Sequence, residues 1–111
     1  MTRVTFNTGA ALLDALVLSA VNQNDTYGYK ITQDVRSVVE VSESTLYPVL
    51  RRLQKDGCLA AYDQAYAGRN RRYYTITPQG QERLSLCRTE WKDYSQKIEN
   101  LLFGGMSDEQ N

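Results

Sequence analysis

Between Thr45 and Thr77 the apolar period shortens from the three-to-four residues of a helix to the two of a strand, and this constrains the fold more than any other feature. Leu46, Val49, Leu50 and Leu53 recur at i, i+3, i+4 and i+7, an inward helical stripe. Thr45 to Gly57 therefore reads as a short helix, with Gly57 supplying a left-handed stop. Leu59 to Tyr66 and Arg71 to Thr77 alternate as strands around a turn over Ala67 to Asn70. A helix running into a β-ribbon, with cations on the face of one and at the tip of the other, is the layout of a winged helix-turn-helix. The expected class is α+β, mostly α.

The flanking segments fit that layout. A first helix is expected from about Asn7 to Asn22, with Leu12, Leu13, Leu16, Val17, Ala20 and Val21 on one broad face. Ala15 and Leu18 carry apolarity most of the way round, with Asp14 and Ser19 as interruptions. A helix apolar on nearly all sides must be buried on two fronts. Asn22 to Thr26 reads as a polar connector. A second helix follows Gly28 on the stripe Ile31, Val35 and Val38, and Val39 to Ser42 is a tight link. Ser42 or Ser44 caps the third helix, and Pro48 is tolerated in its first turn or just beyond. Thr77 and Pro78 open a fourth helix as cap and first helical position. That helix runs to about Phe103 and stops at Gly104 and Gly105. Met106 to Asn111 reads as a frayed polar tail. Residues 1–77 are thus expected to form the winged domain, 78–103 a dimerisation helix and 104–111 a flexible tail.

Thirteen basic and thirteen acidic residues cancel, so net charge does not indicate nucleic acid, but the distribution does. Residues 51–72 carry Arg51, Arg52, Lys55, Arg69, Arg71 and Arg72 against Asp56 and Asp63, six cations to two anions. A neutral protein binds DNA when its cations share one face. Ser44, Thr45, Tyr47, Pro48, Arg51, Arg52 and Lys55 fall on or near the outer surface of the third helix, where hydroxyls reach bases or phosphates and arginines read guanine. Taken alone, that face equally suits an ordinary solvated helix. Arg69, Arg71 and Arg72, with Asn70 among them, crowd the ribbon, where repulsion asks for a compensating anion and an arginine suits a minor groove. A winged helix that mediates protein–protein contacts without DNA is the alternative. Salt distinguishes the two, because phosphate contacts weaken steeply with it.

Other chemistries are poorly supplied. The chain has no histidine, and Cys58 and Cys87 lack metal-ligand spacing. Structural zinc needs about four N/S ligands, and histidine acid–base catalysis is excluded. Without a phosphate-cradling glycine loop or clustered carboxylates, neither an enzyme nor a cofactor is expected. No basic-plus-apolar leader opens the chain and no apolar run approaches ~20 residues. A cytoplasmic protein without a membrane partner is expected, its cysteines reduced and packed as small apolar groups.

The runs S-T-L-Y-P-V-L-R-R-L-Q-K-D-G (Ser44 to Gly57) and G-R-N-R-R-Y-Y-T-I-T-P-Q-G (Gly68 to Gly80), preceded by Y-G-Y-K-I (Tyr27 to Ile31), resemble the signature of PadR-type transcriptional regulators. The resemblance covers nearly the whole chain. It implies a homodimeric winged-helix protein bound to a double-stranded DNA operator, often a repressor of detoxification or efflux genes. It also implies DNA contacts from Tyr29, Lys30, Ser44, Thr45, Tyr47, Arg51, Arg69 and Arg71, with Tyr73 and Tyr74 packing the wing against the domain.

On the fourth helix Leu84, Cys87, Trp91, Tyr94, Ile98 and Leu101 repeat at alternating steps of three and four, a heptad seam. The seam either folds back on its own domain or meets a second copy of the chain. The surplus apolar surface of the first helix, Leu12 and Leu16 included, favours the second copy, because both surpluses vanish across a two-fold axis. In such a pair two recognition helices should stand about 34 Å apart to read successive major grooves on one face of DNA. Trp91 reads first as a core or interface tryptophan. In length and in a tryptophan on the last helix the chain resembles short family members without a larger C-terminal domain, among them a multidrug-responsive regulator whose paired tryptophans stack planar aromatic drugs. By that resemblance Trp91, Leu84, Cys87 and Arg88, with Ala15 and Ser19, line a cavity for a planar aromatic inducer.

Overall fold

The computed structural model describes residues 9–104. In chain order it contains α1 (Ala10–Gln23), β1 (Thr26–Tyr27), α2 (Gly28–Arg36), α3 (Glu43–Lys55), β2 (Leu59–Tyr66), β3 (Arg69–Ile76) and α4 (Pro78–Leu102). The fold is a winged helix with a long terminal helix. The expected start of the first helix at Asn7 and the tail from Gly105 to Asn111 lie outside the described residues.

The core gathers the stripes that the periodicity marked. Leu13, Val17, Leu18 and Val21 of α1 meet Ile31 and Val35 of α2 and Leu46, Val49, Leu50 and Leu53 of α3. Helix α2 ends at Arg36, so Val38 leaves the stripe and is exposed. Val39 takes its place in the core, its N–H donating to the Val35 carbonyl at 3.1 Å as the chain tightens after the helix.

Helix α3 begins two residues before the expected Thr45, because Ser42 is the cap and its hydroxyl accepts the Thr45 N–H at 3.2 Å. Pro48 is the sixth helical residue and leaves the Ser44 carbonyl without its usual donor. The helix closes in a Schellman arrangement. Gly57, at φ 81°, donates to Gln54, and Cys58 donates to the Leu53 carbonyl at 2.9 Å.

The sheet is antiparallel in the order β1-β3-β2. Strand β1 lies in the segment expected to be a connector, pairing Thr26 with Tyr74 and Tyr27 with Tyr73. The expected four-residue turn shrinks to Ala67 and Gly68, both at positive φ (53° and 80°), and Arg69 and Asn70 join β3 opposite Tyr66 and Ala65. Two positive φ values match the right-handed twist of a two-residue hairpin. Leu59, Tyr74 and Ile76 face the core, so Tyr74 packs the wing as expected. Tyr73, one residue along, faces away and stacks on Tyr62 at 5.8 Å.

Helix α4 is anchored where α3 ends. The Thr77 hydroxyl accepts the Gly80 N–H at 3.0 Å and donates to the Gly57 carbonyl at 2.6 Å. Gly80 allows this approach, since a β-carbon there would overlap the Cys58 carbonyl oxygen. The first turns of α4 pack on α1, burying Leu84. From Arg88 to Leu102 every residue except Ser95 is exposed. No helix among the described residues is long and apolar enough to cross a membrane.

Candidate nucleic-acid interface

The N-terminus of α3 presents three hydroxyls. Ser42 Oγ lies 3.0 Å from both Ser44 Oγ and Thr45 Oγ1, and all three residues are exposed beside the unpaired N–H groups of the first turn. A helix start of this kind favours an anion. Tyr47, Arg51 and Lys55 continue along the same exposed side. Tyr47 lies against the start of α2, close enough that a β-carbon on Gly28 would sit 3.2 Å from its ring. This brings Tyr29 and Lys30, both exposed on α2, near the head of α3. Lys30 pairs with Asp34 one turn away at 2.7 Å, and its ammonium is raised chiefly by that hydrogen bond. The pair is exposed and stabilises little, so a phosphate can compete for the ammonium.

Arg52 departs from the expected arrangement. Its guanidinium turns inward and forks onto Asp14 of α1, Nη2 to Oδ1 at 2.6 Å and Nη1 to Oδ2 at 3.1 Å. The hydrogen bond to Asp14 is the largest of the influences that hold Arg52 above its ordinary value. Its charge is balanced inside the protein, which removes it from the cations offered to a ligand in this arrangement. Asp14, expected only as an interruption, is 8% exposed. It also faces Arg83 of α4 at 4.0 Å, and Arg83 reaches Asp56 at the end of α3 at 3.5 Å.

The three wing arginines divide between two faces, because alternation puts Arg69 and Arg71 on one side of the ribbon and Arg72 on the other. Arg71 lies between two rings on the outer face, its guanidinium carbon 3.9 Å from the Tyr27 centroid and 3.7 Å from that of Tyr66. Tyr73 meets Tyr27 edge-on at 5.7 Å, and Tyr62 donates to Asp25 Oδ2 at 2.8 Å. The hydrogen bond to Asp25 is the main cause that raises the Tyr62 phenol. On the other face Arg72 stands opposite Asp63 at a loose 3.8 Å, with Asn70 exposed beyond it. Arg51, Lys55 and Arg69 make no ion pair among the described residues.

The second face follows α1 and α4. Leu12, Ala15, Leu16 and Ser19 are half-buried, Cys87 likewise, and Arg88 is exposed. Trp91 and Tyr94 are 50% and 60% exposed with rings 6.2 Å apart, and Ile98 and Leu101 continue the open strip. Leu84 is a correction on both counts. At 2% exposure it belongs to the core of its own chain and is available neither to a cavity between subunits nor to a partner helix. Cys58 is free and buried, and Cys87 is free and half-buried. Burial pushes its thiol up, and Asp14 and Glu90 add to the effect.

Two features escaped the sequence. The Asp14–Arg52 fork joins residues 38 positions apart, and no local pattern marks it. The Arg71 sandwich depends on β1, which is two residues long and has no period to detect.

Residues 17–86 match the Transcriptional regulator PadR-like family. The transcriptional regulator Rv3488 of Mycobacterium tuberculosis is 34% identical over 92 residues, covering 82% of each chain. A crystal structure of a Streptococcus mutans protein superposes with a TM-score of 0.84 at 37% identity, covering 89% of this chain and 93% of that one. A PadR-like transcriptional regulator of Bacillus cereus gives a TM-score of 0.77 at 32% identity, over 84% and 93% of the respective chains. With its three-stranded wing, cationic α3 and long terminal helix, the chain belongs to the PadR-like family of DNA-binding transcriptional regulators.

Proposed function

We propose that this regulator works as a ligand-responsive homodimer that occludes a promoter, repressing detoxification or efflux genes. In this arrangement α3 enters the major groove with Ser44, Thr45, Tyr47, Arg51 and Lys55, while Tyr29 and Lys30 meet phosphates. The wing brings Arg69 and Arg71 to the adjoining groove, with Asn70 and Arg72 at its margin. The observation that carries the dimer is the apolar strip of Trp91, Tyr94, Ile98 and Leu101, open to water on a helix whose first turns are packed. Spanning ten helical steps, the strip is about 15 Å long, and such a surface on a soluble chain marks an interaction site. The half-open residues Leu12, Ala15, Leu16 and Ser19 of α1 supply the complementary face.

Between those faces Ala15, Ser19, Cys87, Arg88 and Trp91 offer a place for a planar aromatic inducer. A ligand that alters the angle between the two α4 arms changes the separation of the recognition helices, and with it the fit to DNA. Light scattering on a sizing column tests the dimer. The parent chain of 12.7 kDa is expected to elute at twice that mass and an Ile98→Glu/Leu101→Glu variant as a folded monomer. A parent that stays monomeric at micromolar concentration contradicts the proposal. Titration with planar dyes tests the inducer site, which predicts quenching of Trp91 fluorescence and release of DNA.

A further inference from the structure

Asp14 is the one charged side chain buried among the described residues. It lies where three helices meet and faces two guanidiniums. Arg52 of α3 is forked on it, while Arg83 of α4 stands off at 4.0 Å and leans towards Asp56. A buried carboxylate stripped of its partner is strongly unfavourable. Should Arg52 leave, Arg83 is the guanidinium within reach of the carboxylate, already 4.0 Å away.

Arg52 is also placed to leave. Its side chain is 41% exposed even while engaged. It neighbours Arg51 in sequence and stands one turn from Lys55, which is i+3 on the same helix surface. Released from Asp14, its guanidinium opens onto the side of α3 that carries those two cations. Arg83 in turn moves with α4, whose first turns pack along α1. We infer that Asp14 is a positioning residue for DNA binding: it withholds Arg52 from the phosphates, and exchanging Arg52 for Arg83 sets the number of cations α3 presents according to the seating of α4 on α1. This rests on the DNA-binding role of the family.

The test is the salt dependence of duplex binding, followed by fluorescence anisotropy for the parent, Asp14→Asn, Arg52→Gln and the double variant. For each added phosphate contact the slope of log affinity against log salt steepens by about 0.9. Asp14→Asn is expected to steepen it by that amount, Arg52→Gln to leave it unchanged, and the double variant to return to the parent slope. A slope unmoved by Asp14→Asn, or flattened by Arg52→Gln alone, overturns the inference. If Asp14→Asn does not fold, Arg52→Gln still decides, because it retains the Asp14–Arg83 pair.

A second readout needs no DNA. Guanidinium NMR is expected to show slow rotation at Arg52 in the parent, and at Arg83 once Arg52→Gln vacates the carboxylate. An Arg83 that remains freely rotating in that variant rules out the exchange. A parent without salt-sensitive DNA binding points to failure of the DNA-binding role instead, and leaves the NMR result to judge Asp14.

Discussion

The recognition helix and the wing both carry cations, but they hold them by different physics. On α3, Arg52 is fixed by a carboxylate, and the bidentate pair cancels its field. On the wing, Arg71 is fixed by two tyrosine rings, which attract a cation through their quadrupoles without neutralising it. The same residue type is therefore stored in one place and displayed in the other. Arg51, Lys55 and Arg69, paired with neither, add exposed charge to both elements. Rigid placement and retained charge thus coincide at Arg71, whereas at Arg52 placement comes with loss of charge.

The contrast can be strained from several directions. The largest effect is expected at Arg51. Arg51→Ala should cost about 1–3 kcal/mol of operator affinity and relax preference at one base position if the side chain reads a base edge. A competition assay across operator variants measures this. Equal affinity for all variants before and after the change would move Arg51 from reading to charge alone. Next come the wing arginines. Arg69→Ala and Arg71→Ala should each weaken binding to every sequence and flatten the salt slope by about 0.9.

Tyr66→Leu separates placement from charge. Losing one ring of the sandwich should weaken binding about two- to fivefold, the equivalent of ~0.5–1 kcal/mol for an exposed cation–π contact. The slope should stay as it was, since Arg71 keeps its charge. A slope that flattened as in Arg71→Ala would mean that the rings hold Arg71 in the complex altogether. At the turn, Ala67 occupies φ 53°, which side-chain-bearing residues other than Asn and Asp adopt at a cost. Ala67→Asn should stabilise the fold by about 1 kcal/mol in thermal melts and leave DNA affinity unchanged.

The smallest effect concerns pH. The Tyr62–Asp25 bond raises the phenol above its ordinary value of 10.0. Its contribution to stability is therefore present below that value and lost as pH climbs through the raised one. Tyr62→Phe should melt slightly below the parent at neutral pH and converge on it in a pH series as the parent phenol ionises.

Helix stripes and strand alternation were legible because both repeat over several residues. Leu46, Val49, Leu50 and Leu53 are buried as their spacing requires, and Leu59–Tyr66 forms a strand over the expected range. Errors arose where a single residue decided the geometry. Ser42, one of the two expected caps, starts α3 at Glu43 rather than Thr45, and Ala67 and Gly68 alone close the hairpin. Leu84 fitted a heptad seam but lies in the core, because the first turns of α4 serve the winged domain before the helix projects beyond it. Charges were the least legible. Sequence locates the cations, but only tertiary structure shows that Arg52 meets Asp14 and that Arg71 meets Tyr27 and Tyr66.

Sedimentation of the protein with a labelled duplex carrying its genomic operator decides whether a pair of chains engages DNA through phosphate contacts. Two chains per duplex in moderate salt are expected, with the complex dissolving as salt rises. A chain that stays single and ignores the duplex even in dilute buffer contradicts it.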